Sequence, residues 1–250
     1  MNEFILRNLL NDKNTEVYCF DEIDSTNAFA SEKAKEKTEC VVTAARQTQG
    51  RGRRGRGFVS ETGGLYMSVV TKAPGAPFDV MHFPLLAALA VSNAIESTCS
   101  AAADIKWPND ILIKGKKICG ILMEMITVDD DCFLITGVGI NVTNEIPKDL
   151  RDKAGSLKEL SGAEPEMEVL AAAVANQLCA IYKNGISQQE LLLSQVQDKC
   201  ITIGKKVTAM STGATGVAES IDNKGSLILR LSDGSSKSVI FGDVTIMSEP

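Results

Sequence analysis

The chain has 250 residues, 44% hydrophobic and 23% charged, with 26 Lys and Arg against 32 Asp and Glu for a net charge of −6. That composition suits a globular protein of one large domain, or a domain near ~200 residues with a small appendage. It argues against general nucleic-acid binding, because a polyanion selects a basic surface, and no apolar run approaches the ~20 residues of a membrane span.

The N-terminal stretch from Met1 to Arg7 lacks the basic start and small-residue cleavage site of a secretory signal, so a cytoplasmic location is expected. Residues 16–23 read as a strand leading into Asp24-Ser25-Thr26-Asn27, a quartet of capping residues before a helical stretch from Ala28 to Lys37. Val41 to Ala45 reads as a second strand and delivers Gln47 to the segment Gly50-Arg51-Gly52-Arg53-Arg54-Gly55-Arg56. Leu65 to Thr71 follows as an alternating strand, and Pro84 to Cys99 as an apolar helix rich in Ala and Leu. Ile111 to Ile113, a Lys114-Gly115-Lys116 turn and Ile118 to Ile126 predict a hairpin, because a Gly-centred turn separates two β-branched apolar runs. Phe133 to Val142 is a further strand, and helical patterns dominate from Lys148 to Lys199, most clearly over Glu166 to Tyr182. Strands followed by helices without βαβ alternation predict an α+β catalytic domain over residues 1–200, a mixed β-sheet packed with helices. From about Ile203 short strands (206–210, 215–221, 226–231, 236–240, 244–247) alternate with turns such as Asp222-Asn223-Lys224-Gly225. They predict a small β-barrel over residues 201–250, whose thin core needs to dock on the main domain.

Seven cysteines are scattered without a Cys-x-x-Cys pair, which reads as buried reduced thiols rather than a disulfide framework or a zinc site. His82 is the only histidine, so any triad, Cys–His pair or multi-histidine metal centre would depend on it alone. Its place at the start of an apolar helix fits a structural role, and no metal ligands are predicted.

Four arginines interleaved with glycines at 50–56 stand out in an acidic chain. Arginine offers a planar fork that matches carboxylate and phosphate oxygens, and glycine lets backbone approach an anion closely. A solvated surface turn and an RNA-contacting Arg-Gly segment are the competing readings. An exposed turn has no reason to build such self-repulsion, and the overall charge and absence of repeated Arg-Gly units count against RNA. A loop that is mobile when empty and closes over a phosphorylated or adenylated ligand is the preferred reading. No Walker-type phosphate loop occurs, and Gly137-Val138-Gly139-Ile140-Asn141 lacks the third glycine of a dinucleotide fingerprint. Inside a strand, those glycines suit close approach by a ligand or a neighbouring strand. Lys117 is either a strand-start lysine reaching to solvent or an anion holder beside Gly120, which leaves room for a ligand. Lys106-Trp107-Pro108-Asn109-Asp110 holds the only Trp and also reads as a packed ring, a Pro turn and an Asx cap. Ser25, Thr26 and Asn27 serve equally as a helix cap or as ligand contacts.

In sequence order, Asp24 to Asn27, Gln47, the Gly-Arg segment, Lys106 to Asp110, Lys117-Ile118-Cys119-Gly120-Ile121-Leu122 and Gly139-Ile140-Asn141 closely resemble biotin–protein ligases. The C-terminal β segment resembles that family's SH3-like domain. The resemblance implies a two-step adenylating enzyme: biotin and ATP give biotinyl-5′-AMP, and biotin then passes to a lysine of a biotin carboxyl carrier protein or domain. It implies catalytic roles for Lys117, Arg53 and Asp110, and a biotin site formed by Ser25, Thr26, Asn27, Gln47, Arg51, Gly52, Arg53, Lys117 and Gly120. It further implies a nucleotide site at Arg51, Arg53, Arg56, Phe58, Trp107, Asn109 and Asn141. ATP would arrive with Mg²⁺ as a substrate complex, with no tightly bound cofactor. Members that repress transcription carry an N-terminal winged-helix domain, but here the match begins near residue 17, so neither DNA nor membrane is an expected partner. Phe58 stands where some members carry Trp, which keeps an aromatic anchor. An exposed sheet edge would allow homodimerisation or pairing with the carrier. The alternatives are a lipoate ligase or octanoyl transferase relative, whose His-Asp or catalytic Cys signatures are not apparent, and a non-enzymatic Arg-loop RNA-binding module.

Overall fold

The computed structural model describes residues 1–73, 82–184, 188–240 and 242–247. The expected helical run thus crosses 185–187, which lie outside the described residues. Seven strands form the main sheet: β1 (Glu16–Ile23), β2 (Cys40–Gln47), β3 (Leu65–Lys72), β4 (Asp104–Lys106), β5 (Asp110–Ile113), β6 (Lys116–Val128) and β7 (Asp131–Ile140). They lie in the order β1-β2-β3-β7-β6-β5-β4. Only β1 and β2 pair in parallel; the remaining neighbours are antiparallel, so the sheet is mixed.

Alternation along β3 separates two cores. Leu65, Met67 and Val69 join the large cluster with α3 (Phe83–Cys99) and α5 (Met167–Asn184), which pack on each other. Val70, on the other face, packs with Val42, Phe133 and Ile135 beneath Ala30 and Ala34 of α2 (Thr26–Lys35). Ala30 and Ala34 lie one turn apart, so small side chains on one stripe let α2 sit close to the sheet. The helix begins two residues earlier than its pattern suggested, because Ser25 accepts the Ala28 N–H and caps it.

Two elements escaped the sequence pattern. The helix α1 (Glu3–Leu9) is capped by Asn2, which accepts the Ile5 N–H, and buries Leu6. Strand β4 spans three residues, too few for alternation to register. The helical region resolves into α4 (Leu157–Ser161), α5 and α6 (Gln189–Lys199), with a 3-10 turn at Lys148–Leu150.

The C-terminal segment forms a five-stranded antiparallel sheet: β8 (Lys206–Ala209), β9 (Thr215–Ile221), β10 (Leu227–Arg230), β11 (Ser236–Val239) and β12 (Val244–Ile246), in the order β11-β10-β9-β8-β12. It docks as its thin core requires. Val207, Ala218, Leu227 and Leu229 share one buried cluster with Ile105 and Trp107. Trp107 Nε1–H donates to Gly225 O at 3.0 Å and Ile201 N–H to Ile105 O at 2.9 Å, stitching the seam. All seven cysteines are free. No helix among the described residues is long and apolar enough to cross a membrane.

Candidate functional site

The face of the sheet that carries α2 changes character along β6 and β7. Phe133 and Ile135 fill the space under α2, but Gly137 and Gly139 follow on the same face, with Gly120 paired to Gly139 from β6. Missing side chains leave a cavity of about 840 Å³ over this glycine floor. The N-terminus of α2, the Gly-Arg loop, the Trp107–Asp110 turn and the edge of the C-terminal sheet wall it in. All of the sequence-predicted residues line it except Asn141.

Ser25, Thr26 and Asn27 open α2, so their side chains and the positive end of the helix face the cavity. Gln47 Oε1 accepts from the Thr26 N–H at 2.8 Å and the Thr26 hydroxyl at 3.1 Å, while Gln47 Nε2 donates to Ser60 Oγ at 2.9 Å. Asn27 is held from both ends: its Nδ2 donates to Glu124 Oε2 at 2.7 Å, and its Oδ1 accepts from Ser68 Oγ at 2.6 Å. Neither Glu124 nor Ser68 was singled out in the sequence. Ser68 left a signal, a lone small polar residue at an inward position of an apolar strand; Glu124 left none. Gly137 makes the arrangement feasible, since a Cβ there would lie 2.1 Å from Asn27 Oδ1.

Lys117 Nζ lies 2.6 Å from Asp110 Oδ1, and both groups are partly exposed to the cavity. The register between β5 and β6 slips between Ile111 and Leu112, so Leu112 faces Lys117 rather than Ile118. A bulge re-aims side chains. Here the adjacent residues Ile118 and Cys119 both enter the core, which strict alternation forbids, while Lys117 turns to the Gly120 side. The Lys117 backbone is pinned by bonds to Lys153 O (2.9 Å) and from Gly155 N–H (3.0 Å).

The Gly-Arg loop is a narrow hairpin, bridged between Arg51 and Gly57, with a 3-10 turn at Arg53–Gly55. Arg53 donates to Asn109 Oδ1 at 2.7 Å and lies 3.2 Å from Asp243 Oδ1; Arg56 lies 2.8 Å from Asp243 Oδ2. Burial pulls the Arg53 pKa down and Asp243 opposes the shift. A guanidinium starts so high that it keeps its charge at neutral pH. Seven cationic side chains (Arg51, Arg53, Arg56, Lys106, Lys117, Lys153 and Lys205) line the cavity against two carboxylates, Asp110 and Asp243. An acidic chain has concentrated its positive charge in one recess, which draws an anion.

Three residues sit differently from a simple ligand contact. Trp107 lines the cavity, yet it is 2% exposed and its N–H is committed to Gly225. Asn109 spends its amide on Ile121 O (2.6 Å) and on Arg53, so it orients the arginine. Asn141 is not on the wall at all. Its Nδ2 donates to Gly155 O at 3.1 Å and its Oδ1 accepts from Asn144, so it braces the loop that pins Lys117. Phe58 packs over the glycine floor: a Cβ at Gly139 would meet its ring at 2.6 Å and one at Gly120 at 3.1 Å. Among the described residues no group of three or more His, Cys, Asp or Glu is placed to hold a metal.

Residues 19–141 match the Biotin/lipoate A/B protein ligase family, and residues 202–247 match the Biotin protein ligase C terminal domain. The chain is 36% identical over 234 residues to the bifunctional ligase/repressor BirA of Bacillus spizizenii, a match covering 87% of this chain and 70% of that protein. It is 32% identical over 212 residues to the biotin--[acetyl-CoA-carboxylase] ligase of Mycobacterium tuberculosis, covering 82% of this chain and 77% of that one. Among solved structures it resembles the biotin protein ligase of Aquifex aeolicus in complex with biotin and ATP. That superposition has a TM-score of 0.81 at 29% identity and covers 94% of this chain and 99% of the other.

Proposed function

This chain belongs to the Biotin/lipoate A/B protein ligase family, and from that premise we propose that it is an ATP-dependent biotin–protein ligase. It forms biotinyl-5′-AMP from biotin and ATP, then transfers biotin to a lysine of a biotin carboxyl carrier protein or domain. The observation that carries this reading is the convergence of Lys117, Arg53 and Arg56 with the polar N-terminus of α2 in one cavity.

The chemistry sets the demands. A carboxylate is a poor acyl donor, so its oxygen attacks the α-phosphorus of ATP and pyrophosphate leaves. The resulting mixed anhydride lets a lysine amine attack the acyl carbon and expel AMP. Ser25, Thr26, Asn27 and Gln47 supply both donors and acceptors, which the ureido ring of biotin requires. Lys117, steadied by Asp110, faces the carboxylate and the charge that builds toward the α-phosphate, a preorganised electrostatic role. Arg51, Arg53 and Arg56 cover the phosphates and keep water from the anhydride. We also assign Asp110 as the group that accepts a proton from the incoming amine. Mg²⁺ enters with the nucleotide as part of the substrate. We assign residues 1–200 to the catalytic unit and 201–250 to the C-terminal unit.

Isotope exchange between pyrophosphate and ATP, run with biotin, lipoate and short fatty acids in turn, tests the assignment. Exchange that depends on biotin supports it; exchange with lipoate but not biotin would sink it.

A further inference from the structure

We propose that Asp243 is a positioning residue for the first half-reaction. It is a carboxylate of the C-terminal sheet that holds Arg53 and Arg56 over the cavity until the nucleotide's phosphates replace it. The inference rests on the biotin–ATP reading above for what arrives, but not for the contact itself.

Gly242 lies 189 residues beyond Arg53, yet it and Asp243 form a seat for three of the loop's arginines. Arg53 reaches Asp243 Oδ1 at 3.2 Å and Gly242 O at 3.3 Å; Arg56 reaches Asp243 Oδ2 at 2.8 Å. Arg54 takes a left-handed φ of 59° and lays its guanidinium against Gly242, where a Cβ would stand 2.9 Å from its nitrogen. Gly242 itself has a φ of 117°, a conformation suited to glycine. Four positive side chains in seven residues repel one another, and the loop contains no acid of its own. Its closed form therefore needs a counter-charge from elsewhere.

The character of the contact suits a temporary partner. Asp243 Oδ2 is buried and accepts no aligned hydrogen bond, although Arg56 stands 2.8 Å away. Arg53 also donates to Asn109 Oδ1 and Gly242 O, but Asp243 holds both arginines by charge rather than by a directed bidentate fork, and Arg–phosphate forks are the stronger arrangement. An incoming phosphate can take the arginines without the loop having to find its place again. Asp243 lines the same cavity as they do, so the exchange needs little movement.

The test uses Asp243→Asn, which keeps the shape and removes the charge, and Asp243→Glu, which restores it. Trypsin cuts after arginine, so cleavage within 51–56 reports how often the loop opens. Two partly exposed ion pairs are worth about 1 kcal/mol together, a factor of about five. Ligand-free Asp243→Asn should be cut about fivefold faster than wild type, biotinyl-5′-AMP should restore protection, and Asp243→Glu should lie near wild type. In exchange assays its KM for ATP should rise by a similar factor, and by more than kcat falls. Unchanged ligand-free cleavage in a variant with wild-type circular dichroism would overturn the proposal. A lowered KM would do so as well, since the loop would then take up ATP more readily without the Asp243 seat than with it. The cleavage of ligand-free protein is independent of biotin and ATP. An absence of exchange in wild type would defeat the functional reading while leaving that result standing.

Discussion

Replacing Gly137 by alanine puts a methyl group where the site is most tightly tied. The added Cβ would lie 2.1 Å from Asn27 Oδ1, 2.8 Å from its Cγ and 3.0 Å from its Nδ2. Asn27 is 4% exposed and cannot yield without releasing Ser68 and Glu124. The neutral bond contributes about 1 kcal/mol and the bond to the carboxylate about 1.5–3 kcal/mol. Overpacking costs about 1–3 kcal/mol on its own, and the smaller route sets the outcome. Gly137→Ala should therefore lose about 1–3 kcal/mol of stability in urea unfolding, and biotin affinity by calorimetry should fall at least about tenfold. Gly139→Ala is the control. Its Cβ would meet Phe58 ring atoms at 2.6 and 2.8 Å, but a ring tip beside an open cavity can swing away, so stability should change by under about 1 kcal/mol. If Gly137→Ala is as stable as wild type, or less harmed than Gly139→Ala, the reasoning about Asn27 is wrong.

Lys117→Ala and Arg53→Ala should each slow adenylation by about 100-fold or more while unfolding as cooperatively as wild type; near-normal rates in both would refute their roles. Trp107→Phe removes the donor to the buried Gly225 carbonyl, and the unpaired acceptor should cost about 1–3 kcal/mol. An unchanged urea midpoint would show that the seam between the two sheets does not depend on that bond. Burial pushes the Cys40 thiol up to about 12 from its usual 9.0. Above pH 9 the unfolded chain then releases this proton before the folded one does, so stability falls as pH rises. Between pH 8 and pH 10 Cys40 alone should account for about 1.4 kcal/mol of that loss, and Cys40→Ala should flatten the slope by that amount; parallel slopes would contradict it.

Much of the architecture was legible because its signals are local. Apolar alternation in Leu65–Val70 and the Gly115 turn between two β-branched runs speak within a few residues, and the structure places β3 and the β5–β6 hairpin there. The candidate site was legible where composition is unusual, as in the arginine loop, or where a polar quartet precedes a helix. What escaped was long-range or parity-breaking. Asp243 is one acid among many until the chain folds it onto Arg53 and Arg56. The bulge at Ile111 and Leu112 reverses which of Lys117 and Ile118 faces the cavity, and no periodicity in β6 announces it. Asn109 and Asn141 carry motif positions, yet the fold spends their amides on positioning Arg53 and on the loop behind Lys117.

The most direct measurement is mass-spectrometric detection of biotinyl-5′-AMP in a single turnover of purified protein with biotin and Mg-ATP, beside Lys117→Ala. The account predicts one equivalent of the adenylate in wild type and a trace in the variant. No adenylate in wild type, or equal amounts in both, would contradict it.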